Sequence, residues 1–136
     1  MKAYESLFQT IFFYEDKGLL QKTWHITTEH MPDSIFKAEV EKIAEITEKY
    51  KPTKFHDNTT NFYFPIAPKI QTWVNEQIFP RFIAAGVKKY AIIVSKEVIA
   101  QLSIEQTMDE SNAHQFQVRY FDDIEKAHQW LETGLI

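Results

Sequence analysis

The sequence predicts an α/β fold: a single mixed, mostly parallel sheet of about five strands, with an N-terminal hairpin and about four helices. Three observations lead there. The run Tyr90 to Val94 is almost wholly apolar, as expected of a strand buried on both faces. The C-terminal twenty residues read as a strand, a tight turn and a capped helix. Strand patterns alternate with helical ones along most of the chain, which implies parallel pairing through right-handed crossovers.

Each element has its own signal. Leu7 to Tyr14 is rich in β-branched and aromatic residues and reads as a strand. Glu15-Asp16-Lys17-Gly18 is a turn, with Gly18 free to take a positive φ. Leu20, Trp24 and Ile26 alternate with polar residues and form the return strand. Thr27 to Pro32 is a loop. Asp33 or Ser34 can cap a helix whose apolar face is Phe36, Val40, Ile43, Thr47 and Tyr50, and Pro52 ends it. Lys54 to Asn58 is a short, polar-looking strand.

Pro68 suits the first turn of a second helix, with Ile70, Trp73, Val74, Gln77, Ile78, Phe82 and Ala85 on one face and Gly86 at its end. Pro80 lies inside this helix, so a kink or break is expected there. Tyr90 to Val94 is the expected central strand. Ser95 can cap a short helical turn, and Ser103 with Gln106 forms a capping box for another. Phe116, Val118 and Tyr120 then alternate as a half-buried strand. Asp122 stands at an N-cap position with Glu125 three residues later. Ile124, Ala127, His128 and Leu131 follow at helical spacing, and Gly134 marks the stop.

Composition bounds the function. A chain of 136 residues with 44% hydrophobic residues is one domain with a full core. Eleven Phe, six Tyr and three Trp should dominate its packing. The absence of Cys excludes disulfides, thiolate metal sites and a Cys nucleophile, and fits a reducing, cytoplasmic setting. No signal peptide is visible, no apolar stretch reaches transmembrane length, and Asn58-Thr59-Thr60 is an accidental glycosylation match. With a net charge of −4 and only two Arg, the chain is not expected to bind nucleic acid; Lys49, Lys51 and Lys54 read as a solvated helix end.

Catalytic motifs are missing. The three Gly, at 18, 86 and 134, build neither a phosphate loop nor a dinucleotide fingerprint, and there is no nucleophile elbow. His25, Glu29 and His30 are mis-spaced for a helical zinc motif, so no metal or other cofactor is expected. His56 and Asp57 are adjacent on a strand and point to opposite faces. His114 falls in a loop and His128 on a helix, neither with a telling neighbour.

One segment resists a plain reading. Phe62-Tyr63-Phe64-Pro65-Ile66 is a run of large apolar residues in a connection, where polar residues are the rule. It follows a strand end, where open α/β sheets tend to hold ligands. Phe62, Tyr63 and Phe64, with Trp73 from the next helix, are the candidate binding residues, as an apolar pocket wall or a docking surface. Alternation along the segment leaves at least one aromatic available to a partner.

These features together resemble the SpoIIAA-like, STAS-related domains (STAS/SEC14-like). The likeness spans nearly the whole chain. It rests on the hairpin ending near Trp24, Lys49-Tyr50-Lys51-Pro52, Asp57 to Asn61, Trp73 through Phe82, Ala85-Gly86-Val87-Lys88-Lys89 and Arg119-Tyr120-Phe121-Asp122-Asp123-Ile124-Glu125. The resemblance implies a binding or regulatory module. Some such domains are switched by phosphorylation of a Ser or Thr; the corresponding segment here, Phe64-Pro65-Ile66-Ala67-Pro68, has no hydroxyl, and Thr59 and Thr60 only lie nearby. The expectation is therefore a non-enzymatic module recognising a protein partner, a second copy of itself or an apolar small ligand near residues 58–73. The alternative is a small enzyme using His56, Asp57 or Thr59.

Overall fold

A computed structural model describes residues 1–110 and 115–134; His114 lies outside them. One sheet holds six strands in the spatial order of the chain. They are β1 (Lys2–Glu5), β2 (Gln9–Tyr14), β3 (Leu19–Trp24), β4 (Lys54–Asn58), β5 (Lys89–Ile93) and β6 (Gln117–Phe121). The first three pair antiparallel, and β3 to β6 pair parallel. The mixed α/β sheet is thus as the sequence predicts, with one strand more. β1 is a four-residue edge strand whose register slips between Lys2 and Tyr4, too short and irregular to carry a period.

The β2–β3 hairpin turns through a 3-10 turn, Glu15–Lys17, and Gly18 at φ 59°. A Cβ on Gly18 would also crowd the Thr53 hydroxyl at 3.1 Å. The return strand stops at Trp24, and Ile26 opens a second 3-10 turn, Ile26–His30, with its side chain exposed. Residues Thr27 to His30 are therefore helical turn rather than open loop.

The helices are α1 (Asp33–Tyr50), α2 (Pro68–Trp73), α3 (Phe79–Ala85), α4 (Val98–Met108) and α5 (Ile124–Thr133). Among the described residues, no helix is long and apolar enough to cross a membrane. Helices α1 to α4 share one core with the front of the sheet, and α5 alone covers part of the back. β5 is buried from both sides: Tyr90 and Ile92 enter the front core, Ala91 and Ile93 the back core. It is nevertheless the fifth of six strands, and the centre of the sheet belongs to β3 and β4.

Capping departs from expectation in instructive ways. α1 starts directly after Pro32, and neither Asp33 nor Ser34 caps it by side chain. A single helix, α4, replaces two short ones; Glu97 caps it by accepting from the Ile99 and Ala100 amides, while the Ser95 hydroxyl accepts only from Glu97 N–H. Ser103 lies inside α4. For α5 the cap is Asp123, one residue beyond Asp122, accepting from Glu125 and Lys126.

Pro80 reshapes the second helical run. It has no N–H, and its ring would meet the carbonyl of Glu76 four residues back. The backbone widens into a π turn, Val74–Ile78, between α2 and α3, closed by Phe79 N–H donating to the Val74 carbonyl. In a regular α-helix a strict four-residue repeat drifts by about 40° per step. The wide turn absorbs that drift, so Ile70, Val74, Ile78 and Phe82 all stay inward, and Gln77 faces solvent instead of the core.

Candidate functional site

The front face of the sheet is mostly apolar and buries polar groups at two places: Gln9 of β2, whose amide donates to Glu39 of α1, and a cluster on β3 to β5. Along β3, Leu20, Lys22 and Trp24 share that face, and along β4, Phe55 and Asp57 do. Parallel register sets Lys22 beside Asp57 on adjacent strands, and Tyr90 reaches them from β5. Lys22 Nζ donates to the Tyr90 hydroxyl at 2.8 Å and lies 3.2 Å from Asp57 Oδ2. The Tyr90 hydroxyl donates to the same carboxylate oxygen at 2.8 Å. Lys22 is 3% exposed, and its ammonium also sits over the rings of Phe55 and Tyr90 at 5.3 and 5.1 Å.

Burial pulls the Lys22 ammonium below its ordinary pKa, and the Asp57 charge opposes that pull. Burial first, and Asp57 second, hold the Tyr90 phenol well above its usual range, so it stays a neutral donor. Among the described residues no group bonds the other carboxylate oxygen, Asp57 Oδ1, although it is buried. Native structures rarely leave such an oxygen unpaired without a reason.

The three polar groups form the floor of an internal cavity of about 70 Å³. α1 walls it with Val40 and Ile43, and α4 with Ile104 and Met108. The π turn contributes Val74 and Ile78, so the distortion forced by Pro80 shapes the wall. Every lining side chain is buried.

The aromatic connection closes one end. Phe62, 2% exposed, lines the cavity and meets Trp24 edge-on at 5.1 Å. Phe64, 4% exposed, lies behind it, stacked on Phe36 at 4.7 Å. Tyr63 is half-buried, and its N–H donates to the Thr28 hydroxyl. Trp73 is half-buried under the Lys37 ammonium, 5.3 Å away. The four do not converge: one lines the cavity, one backs it, and two are partly open to solvent. Large apolar side chains are more exposed elsewhere, at Leu7 and on α4, where Val98 is 76% exposed and Ile99 and Leu102 are exposed too.

An apolar connection still needs partners for its backbone. Ser95 Oγ donates to the Phe62 carbonyl at 2.7 Å, Ser103 Oγ accepts from Ile66 N–H at 2.9 Å, and Gln71 Nε2 donates to the Ile66 carbonyl at 2.8 Å. Thr59 Oγ1 donates to the Ile93 carbonyl in a short hydrogen bond. These bonds satisfy the backbone of the connection at the cavity end.

Of the alternative trio, Asp57 and Thr59 line the cavity, and His56 lies on the back of the sheet. Its ring stacks on His128 of α5 at 4.4 Å and 14°, and both ring nitrogens are buried with no hydrogen-bond partner among the described residues. Burial, then the neighbouring His128, pushes its pKa down to about 4. His25 meets the Thr10 hydroxyl at 2.9 Å. Among the described residues no three His, Cys, Asp or Glu side chains gather as a metal site would require.

Sequence reasoning passes over Lys22 and Tyr90. The signal for Lys22 is its parity: it is a cation on the strand face that Leu20 and Trp24 define as apolar. Tyr90 carries no such mark, being an ordinary aromatic in a buried strand until register brings its hydroxyl to Asp57. Comparison with family models, curated proteins and solved structures finds no match to this chain.

Proposed function

We propose that the protein is a non-enzymatic binding module that takes a small, mostly apolar ligand into the front-face cavity. The observation that carries this reading is the cavity itself: apolar walls from three helical units around one polar spot on the sheet. Small-molecule sites have that composition, with a few placed polar groups that fix orientation. Phe62 is the residue through which the 58–73 region takes part. The separation of His56 from Asp57 by the sheet, and the engagement of the Thr59 hydroxyl by Ile93, favour binding over catalysis. The resemblance of the sequence to SpoIIAA-like, STAS-related domains supports the same class.

Methyl NMR under xenon tests the reading. Xenon should shift the methyls of Ile43, Val74 and Ile104, and Val74→Phe, which fills the space, should abolish the response. Silent methyls in the wild type would overturn it.

A further inference from the structure

The polar floor states what kind of ligand the cavity accepts. Asp57 lines the cavity, and its Oδ1 is buried and accepts no hydrogen bond from the described residues. A carboxylate oxygen without a partner calls for a donor. Lys22 carries three N–H bonds, and among the described residues two oxygens lie against its ammonium, the Tyr90 hydroxyl and Asp57 Oδ2. The Lys22–Asp57 pair therefore has one acceptor and one donor to offer. A hydroxyl answers both at once, donating through its hydrogen and accepting through its oxygen. An ether or ketone answers only Lys22. An ammonium answers only Asp57 and meets the Lys22 charge.

Size narrows the class further. An apolar cavity of about 150 Å³ holds the six carbons of benzene. The cavity here, about 70 Å³, is roughly half that. Three or four non-hydrogen atoms are the scale it takes without rearrangement. We infer that the cavity is a site for a short-chain alcohol, its hydroxyl bridging Asp57 Oδ1 and Lys22 Nζ and its carbons against Val74, Ile78 and Phe62. This rests on the binding reading above and adds the chemistry of the ligand to it.

Two isomers separate the ideas. 2-Propanol and methoxyethane have the same formula and nearly the same bulk, but only the alcohol has a proton to donate. Each is titrated into the wild-type protein and followed at the methyls of Val40, Ile78 and Ile104. Because an unpaired buried acceptor is costly and a hydrogen bond to a charge is strong, the alcohol should bind at least tenfold more tightly. Replacing both partners together, Lys22→Met with Asp57→Val, removes both hydrogen-bonding groups and should erase or reverse that preference. Equal binding of the two isomers to the wild type would overturn the hydroxyl inference while leaving the cavity as a binding site. Failure of both isomers to shift the methyls, as when an ordered water alone holds the floor, would overturn both. The wild-type titration decides the matter even if the double variant does not fold.

Discussion

The two faces of the sheet treat a buried polar residue in opposite ways. On the front, Asp57 is charged company for Lys22, shares a donor with Tyr90, and borders a cavity. On the back, its chain neighbour His56 is neutral, has no hydrogen-bond partner among the described residues and is pressed against His128 under α5. Burial allows either solution, pairing the charge or removing it. The difference is that pairing leaves spare hydrogen-bonding capacity at a defined place, and neutral stacking leaves a group whose protonation the fold must resist. A ligand can use the first. Acid disrupts the second.

The largest expected effect breaks the front pair. Asp57→Ala strands a buried ammonium and should cost about 3–5 kcal/mol in urea unfolding. Replacing both partners with apolar residues should be neutral or stabilising by about 1–4 kcal/mol. If the single and double variants lose the same stability, the pair is not the buried unit described here.

The back face should answer to pH. His56 is held near pKa 4 in the folded protein, below the ordinary value of 6.5. The unfolded chain therefore binds more protons in that window. The stability contributed by the neutral ring is complete above about pH 6.5 and is lost as pH falls toward 4. The full shift corresponds to about 3 kcal/mol. His128 is lowered in the same sense, by burial and then Lys17. His56→Phe should flatten the stability profile between pH 6.5 and 4; an unchanged slope would move the acid sensitivity elsewhere.

The smallest effect sharpens the end of the back-face helix. Asp123→Ala removes the α5 cap and should cost about 1 kcal/mol. Asp122→Ala should stay within about 0.5 kcal/mol. Thermal unfolding of the two variants distinguishes the cap from its neighbour, and the reverse order would restore Asp122 as the cap.

Much of the scaffold is legible in the sequence because period and punctuation agree there. Gly18, Gly86 and Gly134 all take left-handed φ at turn or helix ends. Lys54–Asn58 is a strand despite its polar look, because Phe55 faces the front core and His56 the back. What period cannot supply is register between distant segments and choice between adjacent equivalents. Two Asp in a row offer two caps, and local geometry selects Asp123. The π turn resets a helical face, so Gln77 reads as core and is exposed. Apolar Phe62 in a connection flags the cavity wall from sequence alone. The Lys22, Asp57 and Tyr90 floor joins residues separated by up to 68 positions, and only the pairing of β3, β4 and β5 brings them together.

The front face, and not the back, is the proposed seat of ligand binding. The direct test is a 2-propanol titration read at once in both cores by methyl NMR, with Val40, Ile78 and Ile104 reporting the front and Ile93 and Leu131 the back. Saturable shifts in the front methyls with silent back methyls are the expected result. Shifts shared equally by both cores, or confined to the methyls under α5, would contradict it.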